Sequence, residues 1–213
     1  MKESLLRFQK NQKYLFFDYE TCNLNLVSEE NKPWQLAFIV TDLNKVYDQE
    51  DYALAWDNLN VSKEAARITG FNKKKHDKIK RCPQKALDHF EKYLYDESII
   101  PVGHNIMGFD FYIHNIHRKL CGQKPNFDYV ENSIDTVCVA RAIKKQIKLS
   151  KNSNRCAWQY RLLNIRERGL KVNLQQCCKD YDVDFDASKL HDALYDIQKN
   201  IDVFKKMIWD IEI

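Results

Sequence analysis

Residues 14–21 read YLFFDYET. Four apolar or aromatic residues run straight into Asp18, and Glu20 follows two places on. The apolar run over 15–19 is too short for a helix and reads as a buried strand. Strand side chains alternate faces, so Asp18 and Glu20 share one face, roughly 6–7 Å apart. Two carboxylates at the end of a buried strand are costly unless water or a cation compensates them. A solvated strand end and a metal site both fit this pattern. Hard oxygen ligands on one rigid strand suit Mg²⁺ or Mn²⁺.

QLAFIVT (35–41) and VYDQEDYALAW (46–56) read as the next strands of an antiparallel meander. Ser62 precedes KEAARIT, a short capped helix that stops at Gly70. Pro83 opens an amphipathic helix through QKALDHFEKYLY. IIPVG (99–103) is a second short buried strand. Further helices are expected over 109–120, 134–147 and about 189–211. A meander followed by strands alternating with helices implies an α/β fold around one mixed sheet. One domain spanning 1–213, with its core at about 14–207, is the economical expectation.

The bulk properties narrow the class. A chain of 213 residues with 44% hydrophobic residues can bury a sizeable core. A net charge of +4 permits a polyanionic partner without requiring one. No apolar run approaches bilayer-spanning length, so no membrane partner is expected. The first residues, MKESLLRFQKNQK, lack the apolar core of a secretory leader. The seven cysteines are scattered and contain no CxxC pair, so neither a disulfide framework nor a zinc ribbon is indicated. A reducing, cytoplasmic compartment is expected.

Two more acidic groups follow the first. In VGHNIMGFDFYIHN, Asp110 stands where a strand gives way to a helix, with Gly103 and Gly108 permitting a tight path. It can equally be a helix-start residue that meets free amides. In KLHDALYDIQKNIDVF, His191 and Asp196 lie about one and a half helical turns apart, near 7–8 Å along the axis. Asp196 sits among Leu194, Ile197 and Ile201, close to a buried stripe, where an acid needs a partner. His114, His117 and Cys121 could share a helical face, but with no fourth ligand evident they read as packing residues.

The ordered set DxE, FD after a GHN segment, and HDAxxD resembles the DEDDh superfamily of 3′→5′ exonucleases. ARITGF (66–71) and IDTVCVAR (134–141) extend the match, and FFDYET with PWQLAFIVTD is closest in wording to its exonuclease I branch. The resemblance covers nearly the whole chain. It implies a ribonuclease H-like fold, a mixed five-stranded sheet flanked by helices. It also implies hydrolysis from the 3′ end of DNA, single-stranded by expectation, with release of nucleoside 5′-monophosphates.

By the same resemblance, Asp18, Glu20 and Asp196 hold the ion that activates water. Asp18 reaches a second divalent ion with Asp110 in support, and His191 is the general base. A histidine, which ordinarily titrates near 6.5, suits proton transfer near neutral pH. Without cations, four acids in one cleft repel, so at least one should bind its proton abnormally tightly.

Substrate handling has weaker signals. Thr21 stands where the family contacts the 3′-terminal nucleotide, and a turn role competes. The run NKKKHDKIKR (72–81) offers phosphate contacts or a solvated face. The stretch 140–171 interleaves many Lys and Arg with aromatics. Lys144, Lys145, Lys148, Trp158 and Tyr160 there are candidates for single-strand binding, with local helix packing as the alternative. RNA trimming or oligoribonuclease activity, a silent nucleic-acid-binding module, and a proofreading subunit serving a polymerase or repair partner all remain compatible.

Overall fold

The computed structural model describes residues 5–150 and 152–213. Its strands are β1 (Lys13–Thr21), β2 (Pro33–Thr41), β3 (Val46–Ala53), β4 (Ile99–Gly103) and β5 (Ile134–Asp135). Its α-helices are α1 (Lys63–Thr69), α2 (Lys73–Ile79), α3 (Pro83–Leu94), α4 (Asp110–Leu120), α5 (Thr136–Lys145), α6 (Arg155–Leu163), α7 (Leu174–Asp180) and α8 (Ala193–Met207). The sheet order is β3-β2-β1-β4-β5. β1, β2 and β3 form the antiparallel meander, while β4 and β5 run parallel to β1. This is the ribonuclease H-like α/β arrangement that the family resemblance implies, with β1 at its centre.

The alternation along β1 explains how the sheet is covered. Tyr14 and Phe16 meet Phe204 of α8 edge-on at 5.5 and 5.6 Å. Phe17 and Tyr19 meet Phe90 of α3 at 5.1 and 6.2 Å on the other face. Aromatic pairs in such tilted geometries add specific attraction to area burial. Period-two alternation therefore sends Asp18 and Glu20 to the face covered by α8.

Several boundaries differ from the sequence reading. The helix expected over 134–147 begins with the two-residue strand β5, because Ile134 and Asp135 pair with Val102 and Gly103. The helix expected over 189–211 is broken. A 3-10 turn (Ala187–Lys189) precedes it, His191 takes φ 70°, and α8 begins only at Ala193 after the Asp192 cap. His191 is thus a loop residue, and the spacing along a helix axis to Asp196 does not apply. Helices α2, α6 and α7 were not expected as elements. Each is short and is started by an asparagine cap, Asn72, Asn154 or Asn173.

His114 bonds Tyr129 at 2.9 Å and Glu91 at 2.8 Å, and His117 bonds the Pro83 carbonyl at 3.1 Å. Both are packed, as the sequence reading preferred. No helix among the described residues is long and apolar enough to cross a membrane.

Candidate active site

A cleft of about 560 Å³ opens at the C-terminal end of β1, and Asp18, Glu20, Asp110, His191 and Asp196 all line it. Each arrives by a different local device. Asp18 and Glu20 come from β1, whose pairing to β2 shifts register between Glu20 and Thr21. Such an irregularity ends the ladder and re-aims the following chain. Asp196 stands in the first turn of α8.

Asp110 opens α4 after a tight loop. At Gly103 a Cβ would clash with Ile106 Cγ2 and lie 3.1 Å from the Phe17 carbonyl. Asn105 in the same loop takes φ 69°. The chain thus folds sharply enough to bring Asp110 back over β1, where its Oδ1 accepts the Tyr19 N–H at 3.0 Å. That amide lies beyond the last β1–β4 pair, Phe16 with Val102. The helix-start role considered for Asp110 is therefore joined to a role in holding β1.

The electrostatics are those of crowded, uncompensated acids. Burial, followed by the Asp110, Glu20 and Asp196 carboxylates, holds Asp18 well above the usual carboxylate range. Burial, then Asp196 and Asp110, pushes Glu20 up to about 9. Burial raises Asp110 to about 8 against the pull of the Tyr19 N–H. Burial raises Asp196 to about 6 against the pull of the His191 N–H, which donates to its Oδ2 at 3.1 Å. Among the described residues no Lys or Arg forms an ion pair with these four acids. Asp196 Oδ1 is buried without a hydrogen-bond partner.

A set of hard carboxylate oxygens with one orphaned buried atom fits a divalent cation. The side chains share a cleft without closing into a cage. Among the described residues no three His, Cys, Asp or Glu side chains stand together in ligating geometry.

The substrate candidates fare unevenly. Thr21 lines the cleft, but its hydroxyl donates to the Asn23 carbonyl at 2.5 Å, the turn role. Trp158 is 2% exposed and packed in the core, so it offers no open face to a base. Tyr160 is on the surface at 39%. Lys144 pairs with Asp180 at 2.5 Å and reaches the Lys171 carbonyl at 2.7 Å, and Lys145 pairs with Glu167 at 2.5 Å. Lys148 lines a separate recess beside Arg7 and Trp209 that shares no residue with the cleft. The 140–171 segment spends much of its charge on local contacts; Arg141, for example, donates to the Leu162 and Leu163 carbonyls.

The sequence reading missed an apolar wall. Leu24, Ala65, Ile68 and Phe109 line the cleft together with the acids, and Leu24 is 82% exposed. Apolar residues in the otherwise polar stretch TCNLNLVSEE, Leu24 first among them, are the available signal. His104 and Asn105 were also missed; they border both this cleft and a second recess of about 450 Å³ toward Asn173 and Asn200.

No curated protein sequence matches the chain significantly. Among solved structures, the zinc-bound E. coli exonuclease I complex with single-stranded DNA aligns with a TM-score of 0.71 at 19% identity, over 92% of this chain and 40% of that one. The E. coli exonuclease I complex with a dA16 oligonucleotide gives 0.69 at 19% identity, over the same shares. An apo exonuclease I gives 0.68 at 19% identity, over 91% of this chain and 41% of that one. The chain spans about two-fifths of the length of these proteins, and at this identity the likeness is one of fold. A family model described as exonuclease, RNase_T, matches residues 15–204. The chain belongs to the RNase_T exonuclease family.

Proposed function

We propose that the protein is a metal-dependent 3′→5′ exonuclease. It acts on the 3′ end of DNA, single-stranded by preference, and releases nucleoside 5′-monophosphates. The observation that carries this reading is the meeting of Asp18, Glu20, Asp110, Asp196 and His191 in one cleft that Leu24, Ala65, Ile68 and Phe109 also line.

Asp18, Glu20 and Asp196 would hold one Mg²⁺ or Mn²⁺ ion, and Asp18 with Asp110 a second. Such ions would supply charge stabilisation for an in-line displacement at phosphorus. The chain's own residues do the rest. Leu24, Ala65, Ile68 and Phe109 offer apolar contact to a terminal base and sugar. His191 is exposed on its loop, and its backbone N–H anchors it to Asp196 while the imidazole stays free to take a proton from the attacking water.

The fold likeness to exonuclease I in complex with oligonucleotides supports single-stranded DNA as the substrate class. The test is a 3′-end degradation ladder on 5′-labelled single-stranded DNA, duplex DNA and RNA, with Mg²⁺ or EDTA. Degradation of single-stranded DNA that needs metal and disappears in Asp18→Asn is the expected result. Faster loss of RNA than DNA would make the protein an exoribonuclease. No loss of any substrate with excess Mn²⁺ would sink the reading.

A further inference from the structure

We propose that Asp135 and Thr136 form the positioning device of the site: they fix the loop that carries Asp110 against the helix that carries Asp196. Its activity readout rests on the exonuclease reading above, while its metal-binding readout does not.

Asp135 ends β5 and caps α5, and it is fully buried. Capping requires only the Val137 N–H, which reaches Oδ1 at 2.9 Å. Two more backbone donors arrive from the distant loop. The Asn105 N–H reaches Oδ1 and the Met107 N–H reaches Oδ2, each at 3.0 Å. These bonds pin the loop on both sides of Ile106, four residues before α4 begins at Asp110. They also hold Asn105 in a left-handed conformation that a non-glycine residue adopts only under support. The clamp is itself braced: the Asp135 N–H donates to Gln159 Oε1 at 2.7 Å, and Gln159 Nε2 donates to the Ser133 carbonyl at 3.0 Å.

Thr136 works on the other side. Its hydroxyl lies 3.1 Å from the Gly103 carbonyl, 3.0 Å from His104 Nδ1 and 3.0 Å from Asn200 Oδ1. Asn200 follows Asp196 by four residues on α8, so the two share a helix face. Adjacent residues of one turn thereby grip the β4–α4 loop and α8 together. Neither Asp135 nor Thr136 lines the cleft. They are positioning residues, and their effect on chemistry runs through the separation of Asp110 and Asp196. Misplacement of a reacting group by about 1 Å can cost on the order of 100-fold in rate.

The competing view is that a cap and a buried threonine contribute stability alone. Thr136→Val and Thr136→Ser separate the two. Valine keeps the shape and removes the hydroxyl; serine keeps the hydroxyl and removes a methyl group. A stability role ranks the variants by melting temperature. A positioning role ranks them by the hydroxyl. We expect Thr136→Val to lower kcat about 10–100-fold on single-stranded DNA with KM within about twofold. It should also cut the Mn²⁺-induced rise in melting temperature to less than half the wild-type value. Thr136→Ser should restore both readouts even where its melting temperature is lower. Asp135→Asn, which turns an amide N–H toward a loop donor, should behave like Thr136→Val.

Wild-type kcat and Mn²⁺ response in Thr136→Val overturn the proposal, as do losses that follow melting temperature in both threonine variants. A wild-type protein without nuclease activity sinks the exonuclease reading instead, and the Mn²⁺ melting comparison then decides the positioning claim.

Discussion

Asp110 Oδ1 accepts the backbone N–H of Tyr19 at 3.0 Å, and Tyr19 is the residue between Asp18 and Glu20. One carboxylate of the cleft thus holds the strand that carries two others. The bond continues the grip on β1 where β4 has stopped pairing. It also gives Asp110 two separable roles, one of charge and one of geometry.

Asp110→Asn separates them. The asparagine oxygen can still accept the Tyr19 N–H, so the fold should persist with a melting temperature at or above that of the metal-free wild type. The lost charge should lower degradation of single-stranded DNA by 100-fold or more, a loss of about 2.7 kcal/mol in transition-state stabilisation. Asp110→Ala leaves a buried amide without a partner and should cost about 1–3 kcal/mol of stability as well. Thermal melts beside initial rates check both. Equal melting temperatures for the two variants would argue against the geometric role.

The raised carboxylates set the pH dependence of the metal-free protein. Asp18, Glu20, Asp110 and Asp196 hold protons in the folded state that they release in the unfolded chain at ordinary carboxylate pH. The folded state therefore binds more protons, and stability falls as pH rises. Their contribution is fully present below about pH 4. It fades through about 6 for Asp196, about 8 for Asp110 and about 9 for Glu20. With EDTA present, wild-type melting temperature should drop between pH 5 and 9 more steeply than that of Glu20→Gln. Parallel slopes would remove the account.

Divalent cations should reverse that loss. An ion that binds only the folded state stabilises it by about 2.7 kcal/mol at one hundred times its dissociation constant. Mg²⁺ or Mn²⁺ should raise the melting temperature most at high pH, where the carboxylates are ionised and repel. Asp18→Asn should abolish most of the rise, because Asp18 feels all three other acids. A metal-induced shift that survives in Asp18→Asn would place the ion elsewhere.

How much was legible in the sequence depended on whether the signal was local. YLFFDYET announces a buried strand with acids on one face because strand periodicity alone fixes that. Order and family resemblance single out Asp110, Asp196 and His191, which share one cleft, but they do not give the geometry. His191 was read into a helix that starts two residues after it, since a left-handed residue followed by an aspartate cap leaves only a weak mark in the sequence. The aromatic and basic segment misled for a different reason. Trp158 and Tyr160 are two residues apart, and composition cannot say which one helix rotation buries. The same holds for Leu24, whose role depends on loop hydrogen bonds around Asn23, Asn25 and Asn31.

Trp158 and Tyr160 make that distinction measurable. Trp158→Ala removes a side chain that is 2% exposed and should cost about 3–5 kcal/mol. Tyr160→Ala, at 39% exposure, should stay within about 0.5 kcal/mol of wild type. Urea unfolding at one pH gives both numbers. A small loss at Trp158 would return it to the list of stacking candidates.

Gly103 offers the most direct link from backbone to chemistry. A Cβ there would overlap Ile106 Cγ2 and stand 3.1 Å from the Phe17 carbonyl. The first contact is closer than real atoms approach, and both partners are buried, so the loop toward Asp110 must shift. Overpacking of this kind costs about 1–3 kcal/mol. Gly103→Ala should therefore lower both stability and kcat, the latter by about 10–100-fold as Asp110 moves off the Tyr19 N–H. Ile106→Ala alone should cost stability with little effect on kcat, because it leaves a cavity without pushing the loop. The double variant should recover most of kcat, since removing Ile106 Cγ2 makes room for the new methyl group, and it should do so while remaining less stable than wild type. Kinetics and melting measured on all four proteins form a double-mutant cycle. Additive losses in kcat would show that the clash at Ile106 is not what couples Gly103 to Asp110.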